Sequence, residues 1–156
     1  MNRFRTLLLV MTILLGAFAA LAQVPNFTSN QLFRYAYDGI KENPQGLFMG
    51  ITNRVTRIFE IKVIDGTLAR NPAGQLEYQV RIAFEQGERS AKRFARKEGI
   101  ASITLETDGG GWRFRRADRG NYTWEEIETR AATRDEIDAA PSLANTSLDE
   151  LYGAAP

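Results

Sequence analysis

The sequence predicts an α+β fold, with one N-terminal helix laid across a curved antiparallel sheet of about four strands and short helices in the C-terminal tail. Three observations carry that expectation. Apolar residues recur at helical spacing from Ser29 to Glu42; residues 75–85 alternate apolar and polar without a break; and Asp108-Gly109-Gly110-Gly111 separates two further alternating segments.

In the first segment Leu32, Phe33, Ala36, Tyr37 and Ile40 fall on one face of a 3.6-residue period, with Ser29 as the expected cap. Asn43-Pro44-Gln45-Gly46 ends the helix, because proline lacks the amide donor and clashes with the preceding turn. Residues 47–54 are ambiguous: Leu47, Ile51, Val55 and Ile58 are spaced as a helix face, while Gly50 and Thr52-Asn53 oppose one. Rising β-branched content makes 55–64 a strand, followed by a long connection through Asp65-Gly66 and Asn71-Pro72-Ala73-Gly74.

Along 75–85, Leu76, Tyr78, Val80, Ile82 and Phe84 face the core against Glu77, Gln79, Arg81, Ala83 and Glu85. That pattern belongs to an antiparallel strand with one wet face. Residues 87–98 fit either a short helix or a basic edge strand. Residues 100–107 and 112–115 form a hairpin around the glycine turn. In the tail, Thr123–Glu126, Thr133–Glu136 and Ser147–Glu150 are candidate capping boxes for helices at about 124–132, 134–139 and 148–152, and the chain beyond Pro141 is expected to be loosely held. This order of elements resembles that of cystatin and nuclear-transport-factor-2 folds; the resemblance is one of element order alone, and no motif carries membership of either family.

The first 22 residues read as an export signal: Arg3 and Arg5, an apolar stretch from Leu7 to Ala20, and a small-x-small site at Ala20-Leu21-Ala22. The alternative is an uncleaved anchor, but the apolar run is shorter than the roughly 20 residues a bilayer requires. A periplasmic or secreted address follows. Cleavage leaves residues 23–156, an α+β domain over 23–119 and an acidic, partly flexible helical tail over 120–156. A chain of that size buries enough surface to fold without disulfides, and it has no cysteine to form one. The body is basic and the tail acidic: 16 Lys/Arg against 11 Asp/Glu over Gln23–Arg119, and two against eight from Gly120 onward.

With no His and no Cys, the Ser-His-Asp and Cys-His nucleophile systems cannot be built, and zinc, copper, haem and iron–sulfur centres lose their usual ligands. No dinucleotide or phosphate-loop fingerprint occurs. No cofactor and no metal is expected.

Two sets of candidate residues remain. The basic set is Arg89, Lys92, Arg93, Arg96, Lys97, Arg113, Arg115 and Arg116. It fits an acidic protein partner or anionic lipid headgroups, or else a solvated face neutralised by the protein's own acidic tail. Nucleic acid is disfavoured for an exported chain. The second set is Tyr35, Tyr37, Asp38, Glu60 and Tyr78, which can line a mouth between helix and sheet. The leading expectation is a non-catalytic exported binding or interaction module. It would meet an envelope or secreted protein, or a small apolar ligand, at one of these surfaces. The alternative is a small isomerase- or dehydratase-like enzyme using Tyr and Asp/Glu acid–base chemistry in the mouth. Assembly into a homo-oligomer through an uncovered sheet face is a third expectation.

Overall fold

The computed structural model describes residues 23–153; the expected export signal lies outside them. Helix α1 spans Ser29–Glu42. Its cap is Thr28, one residue earlier than the sequence suggests: the Thr28 hydroxyl accepts from the Gln31 amide, and the Gln31 side chain accepts from the Thr28 amide at 2.9 Å. Thr-x-x-Gln is the reciprocal box, which satisfies two amides that an N-terminus otherwise leaves open. Ser29 instead donates to Asp65 at 3.0 Å. Leu32, Ala36 and Ile40 are buried, whereas Phe33 and Tyr37 are covered only in part.

The ambiguous stretch resolves into two short turns, α2 (Gln45–Phe48) and a 3-10 turn (Thr52–Arg54), tied together by the Thr52 hydroxyl donating to the Phe48 carbonyl. Six strands follow: β1 (Val55–Val63), β2 (Ala69–Arg70), β3 (Leu76–Glu88), β4 (Arg93–Asp108), β5 (Gly111–Asp118) and β6 (Glu125–Ala131). All pairings are antiparallel, in the order β1-β3-β4-β5, with β2 on β3 and β6 on β4. The expected fold class is therefore the observed one: α1 packs on an antiparallel sheet that β1, β3, β4 and β6 curl into a half-barrel. Bulges in the β1–β3, β4–β5 and β4–β6 pairings add the twist that curling needs.

β5 and β6 lie end to end along the same side of β4, pairing with its residues 102–108 and 93–98 respectively. Residues 119–124 leave the sheet between them. The helix expected at 124–132 is thus a strand. Its residues are good helix formers, but tertiary pairing overrides propensity. The strand sets Glu126 opposite Lys97 and Glu128 opposite Arg96, and it covers a side of β4 that would otherwise be bare. For the same reason 93–98 is neither a helix nor an edge strand; it lies between β3 and β6.

The tail is also held more firmly than its composition suggests. After α3 (Arg134–Ala139) and before the end of α4 (Leu148–Leu151), the chain buries Leu143, Leu148 and Leu151. The Leu143 amide donates to the Val55 carbonyl at 2.8 Å, the Gly153 amide donates to the Ile58 carbonyl at 2.9 Å, and Tyr152 bridges Ile58 in parallel. These bonds cover the outer side of β1, so the expectation of a loose segment beyond Pro141 is corrected: an uncovered edge with buried leucines on offer recruits it. Thr133 and Ser147 cap α3 and α4 as their spacing predicts.

The core lies between α1 and one face of the sheet. Tyr78, Phe84, Ile82, Ile103 and Leu105 are fully buried there, and the Tyr78 hydroxyl donates to the Leu32 carbonyl at 2.6 Å. Burying each large apolar side chain contributes about 1.5–3 kcal/mol, whereas an exposed ion pair contributes ~0–1 kcal/mol. The core, rather than the many charges, holds the fold.

Candidate functional site

The basic run at the β3–β4 hairpin is neutralised from within. Arg93 donates to Glu88 at 2.6 Å and to Glu126 at 2.9 Å, Lys97 donates to Glu88 at 2.9 Å, and Arg96 meets Glu98 at 3.1 Å. Arg89 pairs with Asp138 of α3 at 3.0 Å. Burial pushes the Glu88 carboxyl up, but the hydrogen bonds from Lys97 and Arg93 outweigh it and hold the group below its ordinary range. Lys92 sits at the hairpin turn with a positive φ of 50° and has no carboxylate partner among the described residues. Two of these partners, Glu126 and Asp138, belong to the acidic tail.

The second basic group is equally occupied. Arg113 and Arg115 both bind Glu106, at 2.9 and 2.7 Å, Arg113 also meets Asp108 at 3.2 Å, and Arg116 meets Asp118 at 3.3 Å. The bond from Arg115 is the largest of the causes that hold the Glu106 carboxyl down. The two groups do not form one surface. At about 3.3 Å per residue, Lys97 and Glu106 stand roughly 30 Å apart along β4.

The five residues expected to line a mouth are dispersed. Tyr78 is in the core, bonded to Leu32. Tyr37 lies on another side of α1, where its hydroxyl donates to Asp149 at 2.7 Å beside the Lys41–Asp149 ion pair and the ring of Tyr152. Burial and the Asp149 carboxylate both push that phenol far above its usual range. Glu60 sits on β1 opposite Ala83, on the sheet face away from α1. Tyr35 and Asp38 stay together, in an open cleft of about 460 Å³ between α1 and β5. Its floor holds Trp112 and Phe114, its α1 side carries Asp38 and Glu42, and its β5 side carries Arg113 and Arg115. Gly39 allows the close approach: a Cβ there would collide with the Phe114 ring. Members of both expected sets meet in this cleft.

Other residues gain prominence only in the fold. On the α1-distal face, Arg57, Glu85, Arg96 and Glu128 form a row across β1, β3, β4 and β6, alternating in charge. Glu85 is buried, with 8% exposure, and accepts from Arg130 at 3.1 and 3.2 Å and from the Thr56 hydroxyl at 3.0 Å. The Arg96 guanidinium lies 4.7 Å from the Phe59 ring and that of Arg130 lies 4.0 Å from the Phe94 ring. Guanidinium planes thus cover aromatic surface that no second layer covers. The strand pattern around Glu85 marks it only as one polar position in an alternation, and Arg130 falls in a segment that reads as helix.

Among the described residues, no three or more His, Cys, Asp or Glu side chains gather closely enough to hold a metal ion, and no helix is long and apolar enough to cross a membrane. The chain matches no protein-family description, no curated protein and no solved structure at a significant level.

Proposed function

We propose that this chain is an exported, non-catalytic interaction module that seats a segment of an envelope or secreted protein in the cleft between α1 and β5. One observation carries the reading. The cleft joins half-buried aromatic surface from Tyr35, Trp112 and Phe114 to opposed rims of carboxylate and guanidinium. Aromatic anchors ringed by charge are what protein contacts use: the rings contribute affinity and the charges fix register. Arg113 and Arg115 reach the cleft together with their partner Glu106, and of the other conspicuous basic residues all but Lys92 are paired away from it.

The test is site-specific photo-crosslinking in the native envelope. A photoreactive residue in place of Glu42, on the rim, should give a discrete crosslinked species, and the same residue in place of Glu77, on the opposite sheet face, should not. Arg113→Glu combined with Asp38→Lys should abolish the species while leaving the unfolding midpoint within a few degrees. Equal crosslinking from both positions, or none from Glu42, would refute the assignment.

A further inference from the structure

Apart from Lys92, the cations that face solvent without a carboxylate among the described residues are not the ones the sequence makes conspicuous. On the α1-distal face Arg96, Arg116 and Arg130 each contact an acid and Arg57 lies over the Phe59 ring, whereas Lys62 and Arg81 form no ion pair among the described residues. These two stand directly opposite each other in the β1–β3 pairing, and both are exposed. Like charges directly opposite on antiparallel strands repel and destabilise the pair. On its other side Arg81 faces Ile100, which offers no counter-charge. A local conflict of this kind is of the sort that folds retain at functional sites.

The surroundings fit an anion. Beside Arg81 opens a groove of about 670 Å³, with Ile100, Asn121 and Tyr122 among its walls. The Tyr122 oxygen accepts a hydrogen bond from Gln79 at 2.8 Å, so its own proton is free to be donated outward. Two carboxylates also reach the groove. Glu98 is taken by Arg96, and Glu125 opposes Glu98 rather than Arg81. Glu60 neighbours Lys62 on β1 without forming an ion pair.

We propose that Lys62 and Arg81 form an anion subsite that takes a phosphate or carboxylate group, with the Tyr122 hydroxyl as a third donor and Ile100 against the apolar part of the ligand. This subsite lies apart from the α1–β5 cleft and stands or falls independently of it. Two cations and a hydroxyl gain charge-assisted hydrogen bonds from one oxyanion, and the anion removes their mutual repulsion.

The test is thermal unfolding of the wild type and of Lys62→Gln, Arg81→Gln and the double variant. Each is measured in inorganic phosphate and in sodium chloride at equal ionic strength. Without phosphate each single variant should unfold at or slightly above the wild-type midpoint, because a repulsion has been removed. Phosphate should raise the wild-type midpoint by several degrees beyond chloride and leave the double variant where chloride leaves it. Vesicles of phosphatidylglycerol against phosphatidylcholine identify the source: binding that only the wild type shows assigns the anion to a lipid headgroup, and a response to phosphate alone assigns it to a soluble ligand. Variants that unfold well below the wild type would overturn the proposal. So would phosphate and anionic vesicles that treat the wild type and double variant alike.

Discussion

The indole of Trp124 lies against Gly99 of β4, where a Cβ would come within 2.5 Å of the ring. This contact explains the break between β5 and β6: residues 119–124 leave the side of β4 and carry the indole onto the core face, where it packs 4.9 Å from Phe84 and 6.0 Å from Phe48. Gly99→Ala must displace the ring, and overpacking of this kind costs about 1–3 kcal/mol. Denaturant unfolding of the variant should show that loss with an unchanged m-value. A variant as stable as the wild type would mean the indole does not occupy this position.

Leu148 tests the holding of the tail. It is buried beside β1 together with Leu143 and Leu151. Leu148→Ala should cost about 2–5 kcal/mol, the range for emptying a well-packed leucine site. Arg89→Ala, which breaks only the exposed pair with Asp138, should cost ~0–1 kcal/mol. Equal effects from the two substitutions would mean the tail is not packed on the sheet.

Asp149 ties α4 to α1 through Lys41 and Tyr37, and the bond from Lys41 is the first cause that holds its carboxyl below the ordinary aspartate value of 3.8. A depressed carboxylate stabilises the fold fully above its unfolded pKa, and the contribution is lost as pH falls through the lower folded value. The difference in melting temperature between wild type and Asp149→Asn should therefore be constant above about pH 5 and shrink as pH falls below about 4. A difference that stays constant down to pH 2 would show that the carboxylate charge plays no part.

Where periodicity reported burial, the sequence was legible. Tyr78, Val80 and Ile82 alternate with more exposed residues as far as Arg81, although beyond it Ala83 and Glu85 on the opposite face are buried too, and Leu32, Ala36 and Ile40 repeat because α1 has one dry side. Segment 125–131 was illegible because all seven of its residues are exposed, so no burial pattern marks a strand, and Thr123–Glu126 supplied a false capping signal. The site was harder to read than the fold. A run of basic residues is visible in the sequence, but the carboxylate that neutralises Arg89 and the second one on Arg93 come from positions 138 and 126, and nothing local announces that pairing. Conversely, Lys62 and Arg81 look like ordinary wet-face residues until the β1–β3 register sets them side by side.

The central claim is that the protein's own carboxylates hold all the conspicuous cations but Lys92, so that a partner meets Arg113 and Arg115 only at the rim of the α1–β5 cleft. Side-chain carboxyl NMR titration of Glu88 and Glu106 tests it most directly. Both should titrate below the ordinary glutamate value of 4.5, Glu88 through Lys97 and Arg93 against the opposing pull of burial, and Glu106 through Arg115 and Arg113. Midpoints at or above that value would mean that these lysine and arginine heads do not hold the two carboxylates, which would contradict the account.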